Sequence, residues 1–68
     1  MNQIFTVPGI SCDHCKRTIE GAVAALPGIH SVRVDVATRT VSVDFDVSAT
    51  TSEQVVETIE EEGYEVAP

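Results

Sequence analysis

The hydrophobic positions change period several times along the chain, and each change marks an element. Residues 3–7, Gln3 to Val7, are rich in β-branched and aromatic types and predict a strand, which Pro8-Gly9 ends. Ile10 to Cys12 then read as a loop. From Asp13 the period becomes helical: Cys15, Ile19, Ala22, Val23 and Leu26 recur on one face. Ser11 or Asp13 is the expected cap of this helix, and Pro27-Gly28 the stop. Strict alternation follows. Val32, Val34 and Val36 alternate with Arg33 and Asp35, and Val41, Val43 and Phe45 with Ser42 and Asp44. These predict two half-buried strands joined by a turn through Ala37 to Arg39, a hairpin. Thr50 and Glu53 have capping-box spacing before a second helix, whose apolar stripe is Val55, Val56 and Ile59. Gly63 suits its C-terminal stop, and Tyr64 to Ala67 predict a short last strand.

The order β-α-β-β-α-β is the split β-α-β, or ferredoxin-like, arrangement. The expected fold is therefore an α+β sandwich, with four antiparallel strands and both helices on one face. Residues 1–68 are expected to make a single domain, with no linker or low-complexity tract. Phe5, Phe45 and the Val/Ile set are the expected core.

Composition adds limits. The apolar fraction, 43%, is near the globular norm, so the chain should fold unaided. The net charge is −7, with Lys16, Arg17, Arg33 and Arg39 the only basic residues. Nucleic acid is excluded as a partner, because phosphate binding needs a basic patch. Acid concentrates late, at Glu53, Glu57, Glu60, Glu61, Glu62 and Glu65. It reads either as a solvated helix face or as steering toward a basic partner. No apolar run is long enough to span a membrane, and the N-terminus lacks the pattern of a signal peptide. A cytoplasmic protein is expected, in a compartment that keeps thiols reduced.

The candidate chemistry is Cys12-Asp13-His14-Cys15. A disulfide over so short a loop would constrain little chain, so the cysteines are expected to be chemical rather than structural. Cys12 falls in the loop after strand 1 and Cys15 in the first helical turn. The thiolate is the ligand and nucleophile. A helix N-terminus stabilises an anion by about 0.3–1 kcal/mol, less than one pKa unit. Lys16, Arg17 and a charged His14 would add to this, and Asp13 would oppose it. A structural zinc site wants four ligands, and the second imidazole, His30, is expected across the fold. Hard cations want clustered oxygens. Two thiolates suit a soft ion of low coordination number: Cu(I) first, then Ag(I) or Hg(II). An open two-sulfur site also admits an incoming thiolate, which favours delivery over storage. The rival is a thioredoxin-like redox motif. Against it stand the chain length, the absence of a Cys-Gly-Pro-Cys sequence and the lack of a proline loop facing the site.

Gly9-Ile10-Ser11-Cys12-Asp13-His14-Cys15 resembles the Gly-Met-(Thr/Ser)-Cys-x-x-Cys loop of the heavy-metal-associated domain family. Leu26-Pro27-Gly28-Ile29, Val41-Ser42-Val43-Asp44-Phe45 and Ile59-Glu60-Glu61-Glu62-Gly63-Tyr64-Glu65-Val66 resemble its helix-ending turn, third strand and closing segment. The resemblance spans essentially the whole chain and is nearest to bacterial copper chaperones of the CopZ type. It implies a binding protein rather than an enzyme, with Cys12 and Cys15 as the Cu(I) ligands. The implied partner is the metal-binding domains of a copper-transporting P-type ATPase, and a copper-responsive repressor is a further one. It also implies a monomer when metal-free and a copper-bridged homodimer with metal. Tyr64 would lie beside the metal loop, as a support to the thiols or merely as a cover for the core edge. His14 is open between a third or dimer-stage ligand, a modulator of thiol acidity and a solvated loop residue. Ile10 stands where the family usually has Met, and is expected to serve as the same apolar anchor. Lys16 and Arg17 would either meet an acidic partner or decorate the helix. The alternatives are a mercury- or zinc-binding or buffering protein, and a small thiol–disulfide redox protein.

Overall fold

The computed structural model describes residues 1–67. Strand β1 runs Asn2–Thr6, helix α1 Asp13–Ala24, strand β2 Ile29–Asp35, strand β3 Thr40–Phe45 and helix α2 Ser52–Glu61. The three strands form one antiparallel sheet in the order β1-β3-β2. Phe5 of β1, Val34 of β2 and Val41, Val43 and Phe45 of β3 alternate onto one face of it. There they meet Cys15, Ile19 and Val23 of α1 and Val55 and Ile59 of α2 in a single cluster. Both helices thus cover one face, and the opposite face is open.

The ferredoxin-like order stands, but the fourth strand does not. Tyr64–Ala67 is irregular, and one backbone bond, from Ala67 N–H to the Thr6 carbonyl at 2.8 Å, ties it to β1. A ladder needs repeated pairs of such bonds, and among the described residues this segment makes just one. The reading of this stretch as a strand is therefore corrected: it lies beside β1 without pairing along it. Val36, expected as the last inward residue of its strand, falls in the β2–β3 turn. There the Asp35 carboxylate accepts from the N–H groups of Ala37 and Thr38, and Arg39 takes φ 58°.

Two caps differ from the sequence reading. The N-cap of α1 is Cys12, with no side-chain bond to the helix. Neither Ser11 nor Asp13 caps it, and Asp13 is already helical. The capping box of α2 is Thr51 with Gln54, one residue later than Thr50 with Glu53. The displaced Thr50 has a different task. Its side chain is buried and its hydroxyl donates to the Pro27 carbonyl, tying the loop before α2 to the end of α1. The tie is reinforced at Gly28, whose carbonyl accepts from Asp46 N–H at 2.9 Å. Gly28 has φ 74°, and a Cβ there would lie 2.6 Å from the Ala49 Cβ.

Gly28→Ala combines a left-handed backbone with a clash against the Ala49 Cβ, so it should destabilise by about 1–3 kcal/mol in urea unfolding. Thr51→Ala removes half of a capping box and should cost about 1 kcal/mol by the same measurement. Glu53→Ala, outside the box, should cost far less.

Candidate metal centre

The Cys loop is suspended between buried anchors. Val7 N–H donates to the Arg39 carbonyl at 2.8 Å, which extends the β1–β3 ladder one residue past the strand. Ile10 N–H then donates back to the Val7 carbonyl at 3.1 Å, closing a turn across Pro8-Gly9. Val7 and Ile10 are both fully buried, so Ile10 occupies the apolar anchor position expected of it. Two residues later the helix starts, with the Cys12 carbonyl accepting from Lys16 N–H at 3.2 Å. Cys12 is the last residue of the loop, as expected, and serves as the N-cap of α1, while its side chain stays exposed.

Cys15 is one turn-position on, pointing from α1 into the core edge, and is 9% exposed. The two Sγ atoms stand 3.7 Å apart, and both thiols are free. One sulfur faces solvent and the other is seated, as helical spacing from an N-cap requires.

The Cys15 thiol is lowered from 9.0 to about 6. Hydrogen bonding from the Tyr64 side chain is the largest cause, followed by the backbone N–H of Ser11. Partial burial opposes these, and the Cys12 side chain and backbone assist. The reciprocal effect holds Tyr64 in its protonated, donating form: its phenol is pushed up to about 12, chiefly by Cys15. The Tyr64 ring also lies against the metal loop, where a Cβ on Gly9 would meet its Cδ1 at 3.4 Å. The sequence reading credited the helix end and nearby cations with acidifying the pair. The lowered Cys15 value owes most to Tyr64 and next to the Ser11 N–H, which the sequence reading treated only as a candidate cap. A phenol placed from the far end of the chain leaves no local sequence signal, and it was the family resemblance that put Tyr64 beside this loop.

The other candidates spread out. His14 is exposed in the first turn of α1, its carbonyl taking a bond from the Thr18 hydroxyl at 2.9 Å. His30 is exposed on β2, away from the Cys loop. Among the described residues, no three His, Cys, Asp or Glu side chains gather as a metal site. A soft two-sulfur donor set is what remains. Lys16 is half-buried and Arg17 exposed beside the loop. Among the described residues no carboxylate pairs with a Lys or Arg side chain, and Glu53, Glu57, Glu60, Glu61, Glu62 and Glu65 are all exposed. No helix among the described residues is long and apolar enough to cross a membrane.

Four likenesses to known proteins bear on this geometry. The family model of the heavy-metal-associated domain matches residues 4–65. A copper chaperone CopZ of Staphylococcus haemolyticus is 42% identical over 66 residues, covering 97% of each chain. A solved CopZ metallochaperone superposes with a TM-score of 0.96 at 36% identity, covering 98% of this chain and 100% of that one. The water-soluble region of the P-type ATPase CopA from Bacillus subtilis superposes at 0.91 with 33% identity, over 97% of this chain and 44% of that one.

Because the Cys15 value falls on folding, the thiolate's contribution to stability is complete above about pH 9 and is lost as pH drops through about 6. Tyr64→Phe removes the main donor, so the Cys15 midpoint should move upward from about 6. The Cys15 ¹³Cβ shift, followed through a pH titration of the metal-free protein, reads this directly; an unmoved midpoint would show that Tyr64 does not set it.

Proposed function

The chain belongs to the heavy-metal-associated domain family, and from that membership we propose that it is a copper chaperone that carries Cu(I) on Cys12 and Cys15. The observation that carries this reading is the pair of free sulfurs 3.7 Å apart, one exposed and one seated at a helix start. Thiolates at low coordination number suit Cu(I). The lowered Cys15 thiol supports loading at neutral pH, because less proton displacement opposes the metal. His14 stays outside the donor set of the monomer.

Delivery follows from the openness of the site. A thiolate of the acceptor approaches from the Cys12 side, where the sulfur meets solvent. It adds to the ion, giving a three-sulfur intermediate, and Cys12 then leaves. Cys15 follows when a second acceptor thiolate adds. Each step exchanges one thiolate for another at constant oxidation state. The acceptor in this reading is a metal-binding domain of a copper-transporting P-type ATPase, since a CopA soluble region carries the same fold. A second copy of this chain can supply the third sulfur instead, which gives the copper-bridged dimer. The proposed setting is the cytoplasm, and the protein is not an enzyme.

Cu(I) competition against a chelator tests the assignment. Cys12→Ser with Cys15→Ser should abolish tight binding, whereas His14→Ala should retain it. Retention of tight Cu(I) binding by the double serine variant would sink the site. The thiol–disulfide alternative is checked by insulin reduction, where no turnover is expected.

A further inference from the structure

Helix α1 carries Cys15 and takes Cys12 as its N-cap, and one hydrogen bond ties it to the sheet. Glu20, half-buried on α1, accepts from the Val34 N–H of β2 through Oε2 at 3.1 Å. Among the described residues no other hydrogen bond joins α1 to a strand. The bond uses the outer edge of β2. Val7 donates to the Arg39 carbonyl, so alternation gives the odd positions of β3 to β1 and the even ones to β2. The β2 partners of those even positions are Ser31, Arg33 and Asp35. The N–H groups of Val32 and Val34 therefore point out of the sheet. Glu20 takes the second, and among the described residues the first has no partner.

Hydrophobic burial is non-directional, so the apolar stripe of α1 holds the helix against the sheet more firmly than it fixes its place along the axis. A carboxylate accepting an N–H is directional and charge-assisted. Little else resists a shift at the N-terminal end. The N-cap has no side-chain bond, and Lys16 N–H reaches the Cys12 carbonyl at 3.2 Å, the long end of the ordinary range. Between the buried Ile10 and the first residue of α1 lie only Ser11 and Cys12. Those two residues must absorb any movement of α1 along its axis. Such a movement would carry Cys15 with the helix and pull Cys12 out of the N-cap position.

We propose that Glu20 is a positioning residue for the thiol pair: its bond to Val34 pins α1 along β2 and so keeps the Cys12 and Cys15 sulfurs 3.7 Å apart. Glu20 lies five residues past Cys15, about 7.5 Å along the helix axis, so it acts through the helix and not as a ligand. The side chain has the length and the acceptor that the task needs, and a shorter carboxylate at the same position would not reach the strand. The proposal rests on the reading of the two cysteines as the Cu(I) ligands, and the pin itself is tested without metal.

Amide exchange of the metal-free wild-type chain compares two outward N–H groups on one strand. Val34 should exchange at least about tenfold more slowly than Val32. Glu20→Ala should abolish that difference and speed exchange at Lys16, while Ile19 and Val23 keep their protection. In Cu(I) competition against a chelator, Glu20→Ala should weaken binding about tenfold or more. Glu20→Gln keeps the reach and the acceptor and should restore most of the lost affinity. Glu20→Asp keeps the charge but is one methylene short and should not. Thr51→Ala, which loosens α2 instead, should leave Cu(I) binding unchanged. If Glu20→Ala does not fold, the Gln and Asp variants and the wild-type exchange still decide. Equal exchange at Val32 and Val34 overturns the proposal. So do wild-type affinity in Glu20→Ala, tighter binding by the Asp variant than by the Gln variant, or an equal loss in Thr51→Ala. Weak Cu(I) binding by the wild-type chain overturns the copper reading instead, with slow Val34 exchange still supporting the pin.

Discussion

The position of Cys15 depends on the burial of one helix face against the sheet. Cys15, Ile19 and Val23 lie on that face, and Ile19 and Val23 are fully covered by β-strand side chains and α2. Cys15 is the last residue of the stripe, at the open end of the core, so the packing that fixes α1 also fixes its sulfur. The loop before it is held by the same core through Val7 and Ile10. Burying a Val or Ile side chain is worth about 1.5–3 kcal/mol, more than an exposed loop could gain from polar contacts of its own. The metal loop is thus an extension of the core surface rather than an independent device.

The acidity of the pair shows the same dependence. A helix end alone shifts a thiol by less than one pKa unit, whereas Cys15 is lowered from 9.0 to about 6. The difference comes from aimed donors, Tyr64 first and the Ser11 N–H second. Tyr64 reaches the site because Gly63, two residues past the end of α2, takes φ 93° and turns the chain back toward β1. A change at the end of α2 should therefore be felt at a sulfur some fifty positions earlier in the chain.

Much of this was legible beforehand, and the errors have local causes. Both helices and the hairpin could be read because each buries a single face, which imposes a period of 3.6 or 2 on the apolar residues. The cap of α2 slipped by one residue because Thr50 and Thr51 are chemically alike. Their roles separate only when Thr50 finds Pro27 across the fold. The last strand was over-read because Tyr64, Val66 and neighbours have strand-like composition, whereas strand identity rests on a partner's backbone. The C-x-x-C spacing put Cys12 in the loop and Cys15 in the first helical turn, where both lie, but it did not show that Cys12 is the N-cap. An N-cap residue without a side-chain cap leaves no sequence signature.

The sequence by itself determined the order of the elements, the core-facing residues and the closely spaced Cys12 and Cys15 thiols, because periodicity and motif spacing are properties of neighbours along the chain. The tertiary structure alone decided three further matters. It set the sulfurs 3.7 Å apart, brought Tyr64 to the Cys15 thiol and laid Tyr64–Ala67 beside β1 with one backbone bond where a fourth strand was expected. Each depends on groups far apart in sequence meeting in space, and on hydrogen bonds whose strength falls away within a fraction of an ångström.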